Sequence, residues 1–84
     1  MTRKEKLIKR LKSKPKDFTW DETKSLLIGL GFTEVKTGKT GGSRKRFINS
    51  SNVVVTLHRP HPRNILKRYQ IEQLIELLSA EGLI

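Results

Sequence analysis

Cysteine is absent from the 84 residues. Disulfides, thiolate metal sites and a cysteine nucleophile are thereby excluded together. Histidine occurs only as His58 and His61, too few for a zinc site without carboxylates close by. Long apolar runs are missing, so neither a membrane-spanning helix nor a secretory h-region is expected, and the cytoplasm is the expected location. No metal and no small-molecule cofactor is called for. Acid is missing from one long stretch: residues 35–71 carry nine bases and no Asp or Glu.

What is present is basic. Lys and Arg number 18 against 8 acids, a formal charge of +10. The bases form two blocks, residues 1–16 with eight and residues 35–71 with nine, while residues 17–34 and 72–84 are acidic. A soluble surface ordinarily mixes signs. A long acid-free stretch therefore points to an anion-binding face, since each Lys or Arg beside a phosphate releases a condensed counterion. A merely solvated basic surface is the plain alternative. A membrane surface is disfavoured, because no helix pairs a broad aromatic face with the basic blocks.

Leu, Ile, Val and Phe total 25 of the 84 residues, enough for a folded core. The length suits a single domain over residues 1–84, with a basic N-terminal helix in residues 1–16 as an added element. Residues 3–12 read as that helix, with Leu7, Ile8 and Leu11 as its apolar stripe and Pro15 ending it. Thr19 opens a second helix through a capping box with Glu22, and Gly31 supplies its left-handed stop. Strands are expected over residues 32–37, 43–49 and 52–58, the last two as a hairpin turning at Ser50 and Ser51. A loop containing Pro60 and Pro62 leads to a last helix over 67–80, where Ile71, Leu74, Ile75 and Leu78 keep a clean helical period. The fold class is α+β: a small antiparallel sheet with helices on one face.

Strand parity sorts the bases. If Phe47, Val53, Val55 and Leu57 face the core, then Ser43 and Lys45 share the direction of Phe47. Arg44, Arg46 and His58 then share the open face. That register needs an odd-length turn or a bulge. The segment His58-Arg59-Pro60-His61-Pro62-Arg63 holds both imidazoles between arginines. Histidine exchanges protons near neutrality, and prolines reduce the entropy lost in holding it. Such a set suits RNA cleavage: a general base takes the ribose 2′-OH proton, and a guanidinium stabilises the charge growing on phosphorus. The plain alternative is histidines that cap the last helix or bond a loop carbonyl. The loop Gly38-Lys39-Thr40-Gly41-Gly42-Ser43 lacks P-loop spacing. Asp17, Asp21 and Glu22 are explained as helix-cap residues.

Gly42-Ser43-Arg44-Lys45-Arg46-Phe47, then Val55-Thr56-Leu57, then His61-Pro62 and a closing helix, resemble the HicA-type mRNA interferase toxins over roughly residues 21–84. The resemblance implies a double-stranded-RNA-binding-domain-like α-β-β-β-α fold. It also implies an RNA-cleaving toxin neutralised by an acidic HicB-type antitoxin. In the family pattern a catalytic histidine follows the Gly-Ser pair; here that position is Arg44. Gly42, Ser43, Phe47 and His61 match. Two accounts stand open. His58 or His61 carries proton transfer while Arg44 binds phosphate, or the chain binds RNA without cutting it. Arginine cannot act as the base, its pKa exceeding about 12. The candidate site is thus His61 and His58 for catalysis, with Lys39, Ser43, Arg44, Lys45, Arg46, Arg59 and Arg63 on the RNA. A metal-independent mRNA endonuclease that arrests translation and growth is the first reading. A non-catalytic RNA-binding module, or an interaction domain for an acidic protein, is the alternative.

Overall fold

The computed structural model describes residues 2–35, 44–60 and 63–84. Helix α1 (Arg3–Lys12) starts where the Thr2 hydroxyl accepts the Glu5 N–H at 3.2 Å. Leu7 and Leu11, one turn apart, are buried, while Arg3, Lys4, Lys6, Lys9 and Lys12 stay in solvent. Pro15 follows the helix as expected, but the stop itself is made one residue earlier. Lys14 takes φ +52°, and its N–H reaches the Leu11 carbonyl at 2.9 Å.

Helix α2 (Trp20–Gly29) has the expected capping box. The Glu22 N–H donates to the Thr19 hydroxyl at 3.1 Å, and the Thr19 N–H donates to the Glu22 carboxylate at 3.0 Å. Gly31, at φ +95°, ends it. The Phe32 N–H bonds the Leu27 carbonyl and the Gly31 N–H bonds that of Ile28, the paired contacts of a Schellman stop.

Arg10 fastens α1 to the start of α2. Its guanidinium donates to Glu22 Oε2 at 2.7 Å and to Asp17 Oδ1 at 2.8 Å, and lies 5.9 Å over the buried Phe18 ring. Burial pushes the Glu22 carboxyl up, but the Arg10 guanidinium and the Thr19 N–H and hydroxyl outweigh it. The group is held below its ordinary value.

Three strands form one antiparallel sheet in the order β1 (Thr33–Val35), β2 (Arg44–Ile48), β3 (Val54–His58). Their described extents are shorter than the sequence pattern suggests, and the expected position of Thr37 in β1 lies outside the described residues. The β2–β3 connection turns at Ser50, Ser51 and Asn52. Asn49 Oδ1 accepts the N–H groups of Ser51 and Val53, and Asn52 takes φ +64°. Residues 49–53 thus make an odd-length connection, and the register pairs Phe47 with Val55 and Lys45 with Leu57.

Helix α3 (Arg68–Ala80) buries Ile71, Leu74 and Leu78 and stops at Gly82, at φ +72°. The core takes in Leu7, Leu11, Phe18, Trp20, Leu26, Leu27, Phe47, Val55 and Leu57 together with these α3 side chains. Trp20 meets Phe47 with ring centroids 6.2 Å apart, which sets α2 against the sheet. Helix α1 contacts both α2 and α3. The helices therefore cover one face of the sheet, an α-β-β-β-α arrangement with an extra N-terminal helix.

Candidate nucleic-acid interface

The uncovered face is set by the β2–β3 register. Arg44 stands opposite His58, Arg46 opposite Thr56, and Ile48 opposite Val54. On the other side of β2, Val35 stands opposite Arg46 and Thr33 opposite Ile48. The face has two ends. One is basic and hydrogen-bonding, with Arg44, Arg46, Thr56 and His58 all exposed. The other is apolar, with Ile48 half-buried and Val54 42% exposed. Side chains directly opposed in an antiparallel pair have Cβ atoms about 4.5–5.5 Å apart. Arg44 and His58 are thereby held within reach of one bound group, without a loop to position them.

His58 is the last residue of β3 rather than part of the loop that follows. Its backbone is locked from the helical side. The buried Gln70 side chain donates from Nε2 to the His58 carbonyl at 2.9 Å, while its Oε1 accepts the Lys67 N–H at 3.0 Å. One amide so joins the end of β3 to the first turn of α3. A buried amide with both ends satisfied holds its neighbours in a single geometry.

The segment entering α3 is tied down as well. The Trp20 N–H bonds the Asn64 carbonyl and the Leu66 N–H bonds the Phe18 carbonyl, each at 2.8 Å, around a bridge between Thr19 and Ile65. Arg59 leaves β3 exposed, with its Nε 3.4 Å from Asn64 Oδ1. Arg63 is also exposed. A cavity of about 200 Å³, lined by His58, Arg59, Pro60, Lys67, Tyr69 and Gln70, lies where β3 meets α3.

Of the residues singled out by sequence, Arg44, Arg46 and His58 are brought onto one face, with Arg59 beyond the end of β3. Lys45 is not with them. It pairs with Leu57 on the helix-covered side and is half-buried, because neighbouring strand residues point to opposite faces. His61, Lys39 and Ser43 lie outside the described residues. Lys67, Tyr69 and Gln70 were not anticipated. A signal for Tyr69 exists in the sequence: it sits two positions before Ile71, off the apolar stripe of its helix.

Among the described residues, no helix is long and apolar enough to cross a membrane, and no three His, Asp or Glu side chains gather to hold a metal ion. A family model described as the HicA toxin of bacterial toxin–antitoxin systems matches residues 20–79, well over half of the chain. The match begins at the first residue of α2, so α1 lies outside it. No curated protein and no solved structure matches.

Proposed function

Since the chain belongs to the HicA toxin family of bacterial toxin–antitoxin systems, we propose that it is an RNA-directed toxin that cleaves mRNA at the basic end of its open sheet face. The observation that carries this reading is the cross-strand placement of Arg44 and Arg46 against His58 and Thr56, on a face that none of the described helices covers. Guanidiniums grip phosphate by paired hydrogen bonds. An imidazole beside that phosphate accepts the proton of the neighbouring ribose 2′-OH. The freed 2′-oxygen attacks phosphorus, the bond from phosphorus to the 5′-oxygen breaks, and a 2′,3′-cyclic phosphate is left. The 5′-oxygen takes up a proton as it departs. Arg44 then supplies charge at the position where the family resemblance implies an imidazole, and His58 or His61 supplies the base. Arg59 and Arg63 extend the phosphate contacts beyond β3, and Lys39 and Ser43 would add to them.

The partner in this reading is an acidic HicB-type antitoxin. The open face suits such a partner, since the apolar Ile48 and Val54 lie beside the basic cluster an acidic chain would neutralise. The reaction and its control belong in the cytoplasm, where message is found. A second reading, RNA binding without cleavage, is favoured by one specific feature: the guanidinium at position 44 cannot act as a base.

The test is cleavage of labelled mRNA by the purified protein in EDTA. Wild type is expected to cut and to leave cyclic phosphate ends. His58→Ala and His61→Ala are compared singly and together, and the double variant is expected to be inert. Equal cutting by the double variant removes histidine catalysis. Binding without cutting by wild type selects the second reading.

A further inference from the structure

Tyr69 is 54% exposed, although the chain has only one tyrosine and its other aromatic rings are almost wholly buried. It lies in the first turn of α3 and lines the cavity that also takes in His58, Arg59, Pro60 and Lys67. The cavity, about 200 Å³, is smaller than the roughly 300–1,000 Å³ of ordinary small-molecule sites. It suits one planar ring rather than a whole metabolite. Its walls are an aromatic side chain, a buried proline and two cations, with an imidazole at the edge shared with the open sheet face. Aromatic side chains and cations interleaved in this way recur where single-stranded nucleic acid binds: bases stack on the ring while cations hold the backbone.

We propose that this cavity is a nucleobase subsite, in which one unpaired base of a single-stranded RNA stacks on Tyr69 beside the phosphate held near His58. The inference rests on the RNA-directed reading above and adds to it a substrate form and a positioning residue. Stacking works on an unpaired base, so the subsite selects single-stranded over duplex RNA. Lys67 and Arg59 meet the phosphates on either side of that base. The Gln70 amide bonds hold α3 against the end of β3, which fixes the spacing between the stacked base and His58. Tyr69 touches no reacting atom and acts by placing the strand.

The experiment uses short single-stranded 2′-O-methyl RNA, which lacks the attacking hydroxyl and is not cut. Affinity is read by fluorescence anisotropy for wild type, Tyr69→Ala and Tyr69→Phe, with inorganic polyphosphate as a charge-only probe. Tyr69→Ala is expected to bind the RNA about 5- to 150-fold more weakly, the range of a lost base–aromatic stack. Tyr69→Phe is expected to keep the affinity. Neither variant should alter polyphosphate binding or the salt dependence of RNA binding. Unchanged RNA affinity in Tyr69→Ala overturns the subsite while leaving the RNA-directed reading intact. An equal loss towards RNA and polyphosphate also overturns it, since the effect is then one of charge or folding. Wild-type protein that binds no RNA even at low salt removes the underlying reading itself.

Discussion

Arg44 and His58 face each other across the β2–β3 pair, on the side of the sheet the helices leave open. In the proposed reading the two groups bind one phosphodiester, and only one of them can move a proton. Replacing the guanidinium by a second imidazole should therefore add proton-transfer capacity at the same place. Arg44→His is expected to raise the rate of RNA cleavage at neutral pH, by up to about 100-fold, the lower end of what a placed acid or base contributes. A fluorogenic RNA substrate measures this, and an unchanged or lower rate would place the chemistry away from position 44.

Neighbouring residues of β2 offer an internal control. Arg44 and Arg46 share the open face, whereas Lys45, of the same charge, lies on the covered side. Arg44→Gln with Arg46→Gln should flatten the dependence of log affinity on log salt by about 1.4, at roughly 0.7 for each lost phosphate contact on a single strand. Lys45→Gln should leave that slope nearly unchanged. Equal effects from the three positions would mean that net charge, not the face, governs binding.

The Glu22 carboxyl is held below its ordinary value, so its ionised form stabilises the fold. That contribution is fully present above the unfolded carboxylate value of about 4.3. It is lost as pH falls through the lower folded value. Glu22→Gln is expected to be less stable than wild type at pH 7 by about 1 kcal/mol, the difference between a charged and a neutral hydrogen bond. Below the unfolded value the gap should narrow, and it should close once pH has fallen past the lower folded value, where the wild-type carboxyl is also neutral. Urea unfolding from pH 7 down to pH 3 checks both; a gap that persists at the acid end would assign the effect to packing.

Helix α1 lies outside the family match, yet Leu11 is fully buried and belongs to the main core. Leu11→Ala should cost about 2–5 kcal/mol, the range for a buried leucine that leaves a cavity. Cleavage per folded molecule should stay the same, because α1 packs on the helices rather than on the open sheet face. A loss near zero in chemical denaturation would show α1 to be a detachable arm.

Much of this protein was legible in its sequence because it is written in short-range patterns. The capping box of Thr19 and Glu22, the glycine stops at Gly31 and Gly82 and the period of Ile71, Leu74 and Leu78 each involve residues within a few positions of one another. Strand alternation likewise told the face of Arg44, Arg46 and His58 from that of Lys45, because side-chain direction has a period of two. The tertiary structure decided what depends on partners distant along the chain. The Gln70 bond to His58, the bridge from Thr19 to Ile65, and the place of Tyr69 beside His58 join elements that no local pattern connects. Periodicity says which face of an element is apolar. Only packing says which other element covers that face, and therefore which polar side chains meet at the rim.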